Sequence, residues 1–152
     1  MNRIAGIPAL QERIGAVLGV SDWVTIEQER IQAFADATGD QQWIHVDRER
    51  CERESPYRTT IAHGYLTLSL LPMLSAQALT VEGVSARLNY GLNRVRFPAP
   101  VPSGGRVRAT FRLKSVEPQG DNRFLVTTEA TIETDGGSRP VCVAEMLAMY
   151  VV

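Results

Sequence analysis

Within Gly39-Asp40-Gln41-Gln42-Trp43-Ile44-His45-Val46-Asp47 the chain places a carboxylate and an imidazole five residues apart, and His45 is one of only two histidines it contains. Asp40 and His45 are the residue types that move protons: together they can grip one water, withdraw a proton from it and deliver a proton to a neighbouring atom. The flanking Trp43, Ile44 and Val46 are core-type side chains, so the pair is carried to the edge of a hydrophobic interior. The spacing also admits plainer readings. Asp40 follows a glycine suited to ending a helix and could be a turn residue bonded to nearby amides. His45 could be a core histidine with its own hydrogen-bond partners.

The other histidine, His63, stands in Ala62-His63-Gly64 at the head of a long apolar run. A histidine at a helix start caps, packs or shapes a pocket more readily than it transfers protons. If the helix begins there, the amide of Gly64 lies at the positive end of its dipole with no carbonyl one turn earlier to bond. A metal site assembled from His45, Asp47, Cys51 and His63 has neither HxxxH nor CxxC spacing, and no metal is expected. Arg94 and Arg96 stand two apart on an expected strand, with Arg106, Arg108, Arg112 and Lys114 on the next. They could hold phosphates, although alternating arginines also mark the solvated face of a sheet.

These residues need elements to position them. Thr25-Ile26-Glu27-Gln28 has the form of a capping box, followed by apolar Ile31, Phe34 and Ala35 at helical spacing and closed by Gly39; a helix is expected over about 27–38. Arg48 to Arg58 is charged and contains Ser55-Pro56, which predicts a loop with at most one helical turn. From Thr59 to Val81 there is no charged residue. That length could span a bilayer, but internal His63, Pro72, Ser75 and Gln77, with no basic cluster at either edge, favour a helix buried by its own protein. Beyond it the period changes to two. Ser85–Phe97, Arg106–Lys114, a run carrying Phe124, Val126, Thr128, Ala130 and Ile132, and Val141–Val152 read as strands, the last central because both its faces are apolar.

Sixteen basic and seventeen acidic residues leave a net charge of −1, so no global field is available to hold nucleic acid or an anionic membrane. The two cysteines lack a disulfide-scaffold density and fit a reducing, cytoplasmic setting. The expectation is one α+β domain over residues 1–152, an apolar helix wrapped by a largely antiparallel sheet, which is the hot-dog arrangement.

Phe34-Ala-Asp-Ala-Thr-Gly-Asp40 leading to His45, then Thr59-Thr-Ile-Ala-His-Gly64, then Arg96-Phe-Pro-Ala-Pro-Val-Pro-Ser-Gly104 resemble the MaoC-like branch of that fold, which includes (R)-specific enoyl-CoA hydratases and related dehydratases. The likeness covers roughly the last 130 residues. It implies hydration of a trans-2-enoyl thioester, or the reverse dehydration of a 3-hydroxyacyl thioester, with Asp40 and His45 sharing the water. It further implies Gly64 in the oxyanion pocket, His63 and Tyr65 as candidates for lining it, and Arg94 and Arg96 as candidate contacts to the phosphates of coenzyme A. Coenzyme A or an acyl carrier would belong to the substrate, so no cofactor is expected, and the resemblance implies a homodimer. One departure stands out: Gln42-Trp43 replaces the Asn-Pro usual between the aspartate and the histidine.

Two other classes compete. A hot-dog thioesterase typically carries an acid on the central helix, and Ile61 to Thr80 contains no Asp or Glu. A non-catalytic acyl-binding module would have no use for an intact Asp40 and His45 pair.

Overall fold

The computed structural model describes residues 1–152. In chain order it runs β1 (Asn2–Ile4), α1 (Gly6–Gln11), β2 (Val17–Val20), β3 (Val24–Thr25), α2 (Gln28–Thr38), α3 (Trp43–Val46) and α4 (Arg48–Glu54). It continues through α5 (Gly64–Ser69), α6 (Leu71–Ala78), β4 (Leu79–Val81), β5 (Ala86–Arg96), β6 (Arg106–Pro118), β7 (Arg123–Thr134) and β8 (Cys142–Val151).

Alternation decides the sheet. Along β6, Val107, Ala109, Phe111 and Leu113 are all buried while Arg112 and Lys114 point to solvent, so one face is core and the other wet. Val126, Ala130 and Ile132 of β7 and Cys142 and Ala144 of β8 continue the buried face. The strands follow the order β2-β6-β7-β8-β5 with β3 also on β6, and every pairing in this sheet is antiparallel. The last strand is interior, as its two apolar faces predict. β5 is an edge: only Val95 along it is even half-buried.

The apolar run resolves into more than one element. Its helical part begins at Gly64 and ends at Ala78, and Leu79–Val81 turns into a strand. The helix is also interrupted, because Pro72 has no amide to donate to the preceding turn. Leu70 keeps a right-handed helical backbone, its amide bonds Leu66 O at 3.2 Å, and Leu74 N bonds Leu70 O at 2.9 Å, so α5 and α6 run end to end. Leu66, Leu71, Leu74 and Ala78 face the sheet in one hydrophobic cluster that reaches from Ile4 to Tyr150. No helix is long and apolar enough to cross a membrane.

Two expectations are corrected. The capping box does not form: Thr25 lies in β3, Glu27 makes no side-chain cap bond, and Gln28 is turned elsewhere. The stretch after Asp47 is a seven-residue helix, α4, whose first turn is closed by the Asp47 side chain accepting from Arg50 N at 2.9 Å. Arg48–Glu52 and Arg50–Glu54 pairs along its flank favour it further. The N-terminal residues carry structure too, since β1 pairs with β4 in parallel and β2 extends the main sheet beside β6.

At Gly19 of β2 an added Cβ would lie 2.6 Å from the main-chain oxygen of Ala78. The last turn of the helix therefore sits directly on this strand. Gly19→Ala is expected to lower unfolding stability by about 1–3 kcal/mol, read as a reduced midpoint in urea with an unchanged slope.

Candidate active site

The helix α2 stops at Gly39, whose left-handed backbone (φ 79°) turns the chain away from the helix axis. Asp40 follows in the turn, Gln42 has the extended conformation of an N-cap, and Trp43 opens α3. First-turn positions are where a proline is tolerated best. Trp43 fills that place here with the guanidinium of Arg50 4.3 Å from the centroid of its ring system. With Gln42-Trp43 in these places α3 still forms, and it carries His45 inward, where it is 6% exposed.

His45 is fixed from several sides. Its Nδ1 lies 2.7 Å from the carbonyl oxygen of Ile61. A carbonyl can only accept, so in the neutral ring Nδ1 carries the hydrogen and Nε2 is left with its lone pair. The main chain locks the same two segments together, Ile61 N donating to Ile44 O at 3.0 Å. Gln28 completes the clamp: its Nε2 donates to His45 O at 2.8 Å and its Oε1 accepts from Thr60 Oγ1 at 2.6 Å. Burial holds the imidazole below its usual pKa of 6.5; the Ile61 carbonyl and the Asp40 charge work against that shift, and the neighbouring His63 adds to it.

Asp40 is exposed, and a carboxylate oxygen of Asp40 and one ring nitrogen from each of His45 and His63 all lie within 4.8 Å of one another. No direct hydrogen bond joins Asp40 to either ring through its carboxylate. Its local contact, Gln42 N to Oδ1 at 3.4 Å, is long for a turn bond. The cluster is also poorly built for a metal. The His45 and His63 rings stack with centroids 3.8 Å apart and planes 25° from parallel, and His45 Nδ1 and His63 Nε2 each face a main-chain carbonyl. A tetrahedral ion with bonds of about 2.1 Å needs ligand atoms that converge. Asp47 and Cys51, the other residues considered for a metal, are occupied: Asp47 caps α4, and the Cys51 thiol, pushed up in pKa by burial first and by Asp47 second, faces the carbonyls of Trp43 and Ile44.

A cavity of about 300 Å³ opens beside His45. Its walls are Tyr57, Ile61, Ala62, Gly64 and Thr67 on one side and Phe97, Pro98, Ala99, Pro100, Val101 and Val141 on the other. Gly64 is the first residue of α5, so its amide has no carbonyl one turn earlier. His45 and Gly64 are therefore brought together on one cavity. His63 and Tyr65 do not line it. His63 is 2% exposed and lies behind His45, making no cap bond, while Tyr65 is 68% exposed and meets Phe97 edge-on from outside. Arg94 and Arg96 lie on the exposed edge strand that runs into the Phe97 wall.

The MaoC-like domain family model matches residues 9–135. The chain belongs to that family. Over 151 residues the MaoC-like chain is 52% identical to a 3-hydroxyacyl-thioester dehydratase Z of Mycobacterium tuberculosis, covering 99% of both chains. Its fold is that of a monoamine oxidase regulatory protein from Archaeoglobus fulgius, with a TM-score of 0.77, 23% identity and coverage of 99% of this chain and 96% of that one. An unliganded R-hydratase PhaJ1 from Pseudomonas aeruginosa shares it with a TM-score of 0.69 at 23% identity, over 91% of this chain and 81% of that chain. The fold is the hot-dog fold. The likeness reaches further toward the N-terminus than the motifs alone indicated, in keeping with the structured β1, α1 and β2.

The residues that sequence reading missed in this MaoC-like site are Gln28, Thr60, Ile61, Tyr57 and Phe97. Gln28 could be read only as part of a cap, and a main-chain acceptor such as Ile61 O leaves no mark on residue type. Phe97 stands at the end of an expected strand and inside a turn-rich motif, and neither marks a cavity wall.

Because the folded imidazole of His45 binds its proton less readily than the unfolded one, the unfolded chain takes up more protons as pH falls below 6.5. Stability from this group is complete above that pH and is lost on acidification toward the folded pKa. Two-dimensional ¹H–¹⁵N spectra are expected to show neutral His45 protonated at Nδ1, with a titration midpoint below 6.5.

Proposed function

We propose that this chain reversibly adds water across the double bond of a trans-2-enoyl thioester, forming the (R)-3-hydroxyacyl thioester. The observation that carries this is the Asp40 carboxylate lying within 4.8 Å of a ring nitrogen of His45, whose Nε2 keeps its lone pair and which shares one cavity with the first amide of a helix. Two hydrogen bonds of about 2.8 Å meeting at one water oxygen span roughly 4.5 Å. A separation of no more than 4.8 Å without a direct bond suits a single water donating to both groups.

In the hydration direction the water oxygen forms a bond to the β-carbon. The π electrons move toward the thioester carbonyl, whose oxygen gains negative charge. The Gly64 amide, at the positive end of the helix dipole, is placed to stabilise that oxygen. One water proton passes to the Asp40 and His45 pair, and a proton from the pair is delivered to the α-carbon, so the two groups end the cycle as they began. Dehydration is the same path reversed. Since the water and the returning proton come from one pair on one face of the substrate, H and OH add to the same side.

The full-length 52% identity to a protein whose name is 3-hydroxyacyl-thioester dehydratase supports this reaction class. The helical residues of α5 and α6, GYLTLS and LPMLSAQA, carry no acid, which weighs against thioester hydrolysis by a helix carboxylate. The chemistry calls for no cofactor, coenzyme A or an acyl carrier being part of the substrate. Arg94 and Arg96, exposed on the strand leading into the cavity wall, are placed to meet its phosphates. A homodimer completes the proposal. β5 exposes Leu88, Tyr90 and Leu92 together with an unpaired main-chain edge, the combination that a second copy would cover. Tyr90→Glu should then shift the chain toward the monomer in sedimentation.

With a series of trans-2-enoyl-CoA substrates, loss of the conjugated thioester absorbance is the expected signal, and chiral analysis should return the (R) product. Asp40→Asn is expected to lower kcat by about 10²–10⁴-fold with an unchanged melting midpoint. Unaltered turnover in that variant would remove the acid and imidazole pair from the mechanism.

A further inference from the structure

The second histidine is the least explained polar group in the molecule. His63 is 2% exposed, its Nδ1 is buried with no hydrogen-bond partner, and it is not part of the cavity wall. A leucine or phenylalanine would fill the same space without burying a polar nitrogen unpaired. Two contacts give the imidazole a purpose. Its Nε2 donates to the main-chain oxygen of Asp40 at 3.0 Å, and its ring stacks on His45 at 3.8 Å. Phe34 of α2 closes the pocket from a third side, its ring 5.0 Å away.

We propose that His63 is a positioning residue that tethers the Asp40 turn through one nitrogen and, through its stack on His45, disfavours more than one positive charge on the two imidazoles. The inference rests on the hydration reading above and deepens it. Two imidazolium rings at stacking distance repel, so once one ring is charged the other is held neutral. The burial that already depresses His45 acts in the same direction. The titratable groups facing the stacked pair are Asp40 from the turn after α2 and Tyr57 across the cavity. Cys51 of α4 lies behind α3 with its thiol turned to main-chain carbonyls, and Phe34 contributes an uncharged ring. Asp40 is thus the sole carboxylate in the immediate cluster. The same ring that locates this carboxylate limits the proton occupancy of the base beside it.

Two variants separate the two roles. His63→Phe keeps an aromatic ring against His45 but loses the N–H donor; His63→Gln keeps a donor within reach of Asp40 O but loses the ring. Either leaves His45 as the only histidine in the chain, so its Cε1–H resonance can be titrated without ambiguity. In both variants the His45 midpoint, and with it the acid limb of kcat/KM, is expected to rise by about half a pH unit or more. In His63→Phe, kcat is expected to fall by at least about tenfold with little change in KM, and His63→Gln should recover most of that loss. A His45 midpoint that does not rise in the folded variants, or a His63→Phe enzyme with wild-type kcat, overturns the proposal. If the wild-type chain hydrates no enoyl thioester, the reaction reading fails, and the resonance titration still decides the role of His63.

Discussion

The hydrogen bond from His45 Nδ1 to Ile61 O decides what the rest of the site can do. It selects one tautomer, and the selected tautomer leaves the basic lone pair on the opposite edge of the ring. Such a bond is useful only if its acceptor cannot move. Ile61 N returns a bond to Ile44 O, so the segment carrying the acceptor and the segment carrying the histidine are tied in both directions. Gln28 ties a third element to the same two, accepting from Thr60 and donating to His45 O. Every group in this chain of contacts is removed from bulk water or partly so, where an unmade bond costs more than a made one stabilises.

The same segment sets where the helix begins. Ala62 N donates to Val101 O and Ser103 N to Thr60 O, with Ile61 bridged to Pro102, so residues 60–62 lie alongside 101–103 as a short extended ladder. The ladder ends where α5 starts, and the first free amide of the helix is thereby set against the wall formed by Phe97 to Val101. The imidazole and the free amide are thus placed by neighbouring residues of one strand-like segment, Ile61 for the imidazole and Gly64 for the amide. Their separation is fixed by local backbone rather than by packing between distant elements.

What could be read from the residues divides along this line. β6 and β7 were legible because alternation is written in side-chain type, and the interior position of β8 because both its faces are apolar. Asp40, His45 and Gly64 were legible because their spacing, order and accompanying turn residues form a pattern that family resemblance can carry. The clamp was not, since Gln28 is ambiguous between a cap and a tether and Ile61 contributes only its carbonyl. α4 was less legible because the charge density and Ser55-Pro56 suggest a loop with one helical turn, whereas its i,i+4 pairs and the capping Asp47 sustain seven helical residues. β1 to β4 are two to four residues long, too short for any period to show. The expectation that His63 lines the pocket failed for a geometric reason: the residue before a helix start can turn its side chain back toward α2, and here Asp40 O offers the acceptor that draws it there.

Gly64 is needed for space rather than for backbone freedom. A glycine at the head of a helix suggests conformational freedom, yet its φ is not in the left-handed region that only glycine enters readily. What the position requires is space. A Cβ there would lie 2.8 Å from the Phe97 ring, closer than nonbonded carbon atoms approach, and Phe97 meets Tyr65 at 85° on its other side. The ring would therefore have to shift, and any side chain at residue 64 must push the cavity wall away from the helix start. The glycine keeps the wall and the helix start in contact, and that contact sets how narrow the cavity is beside the first amide of α5.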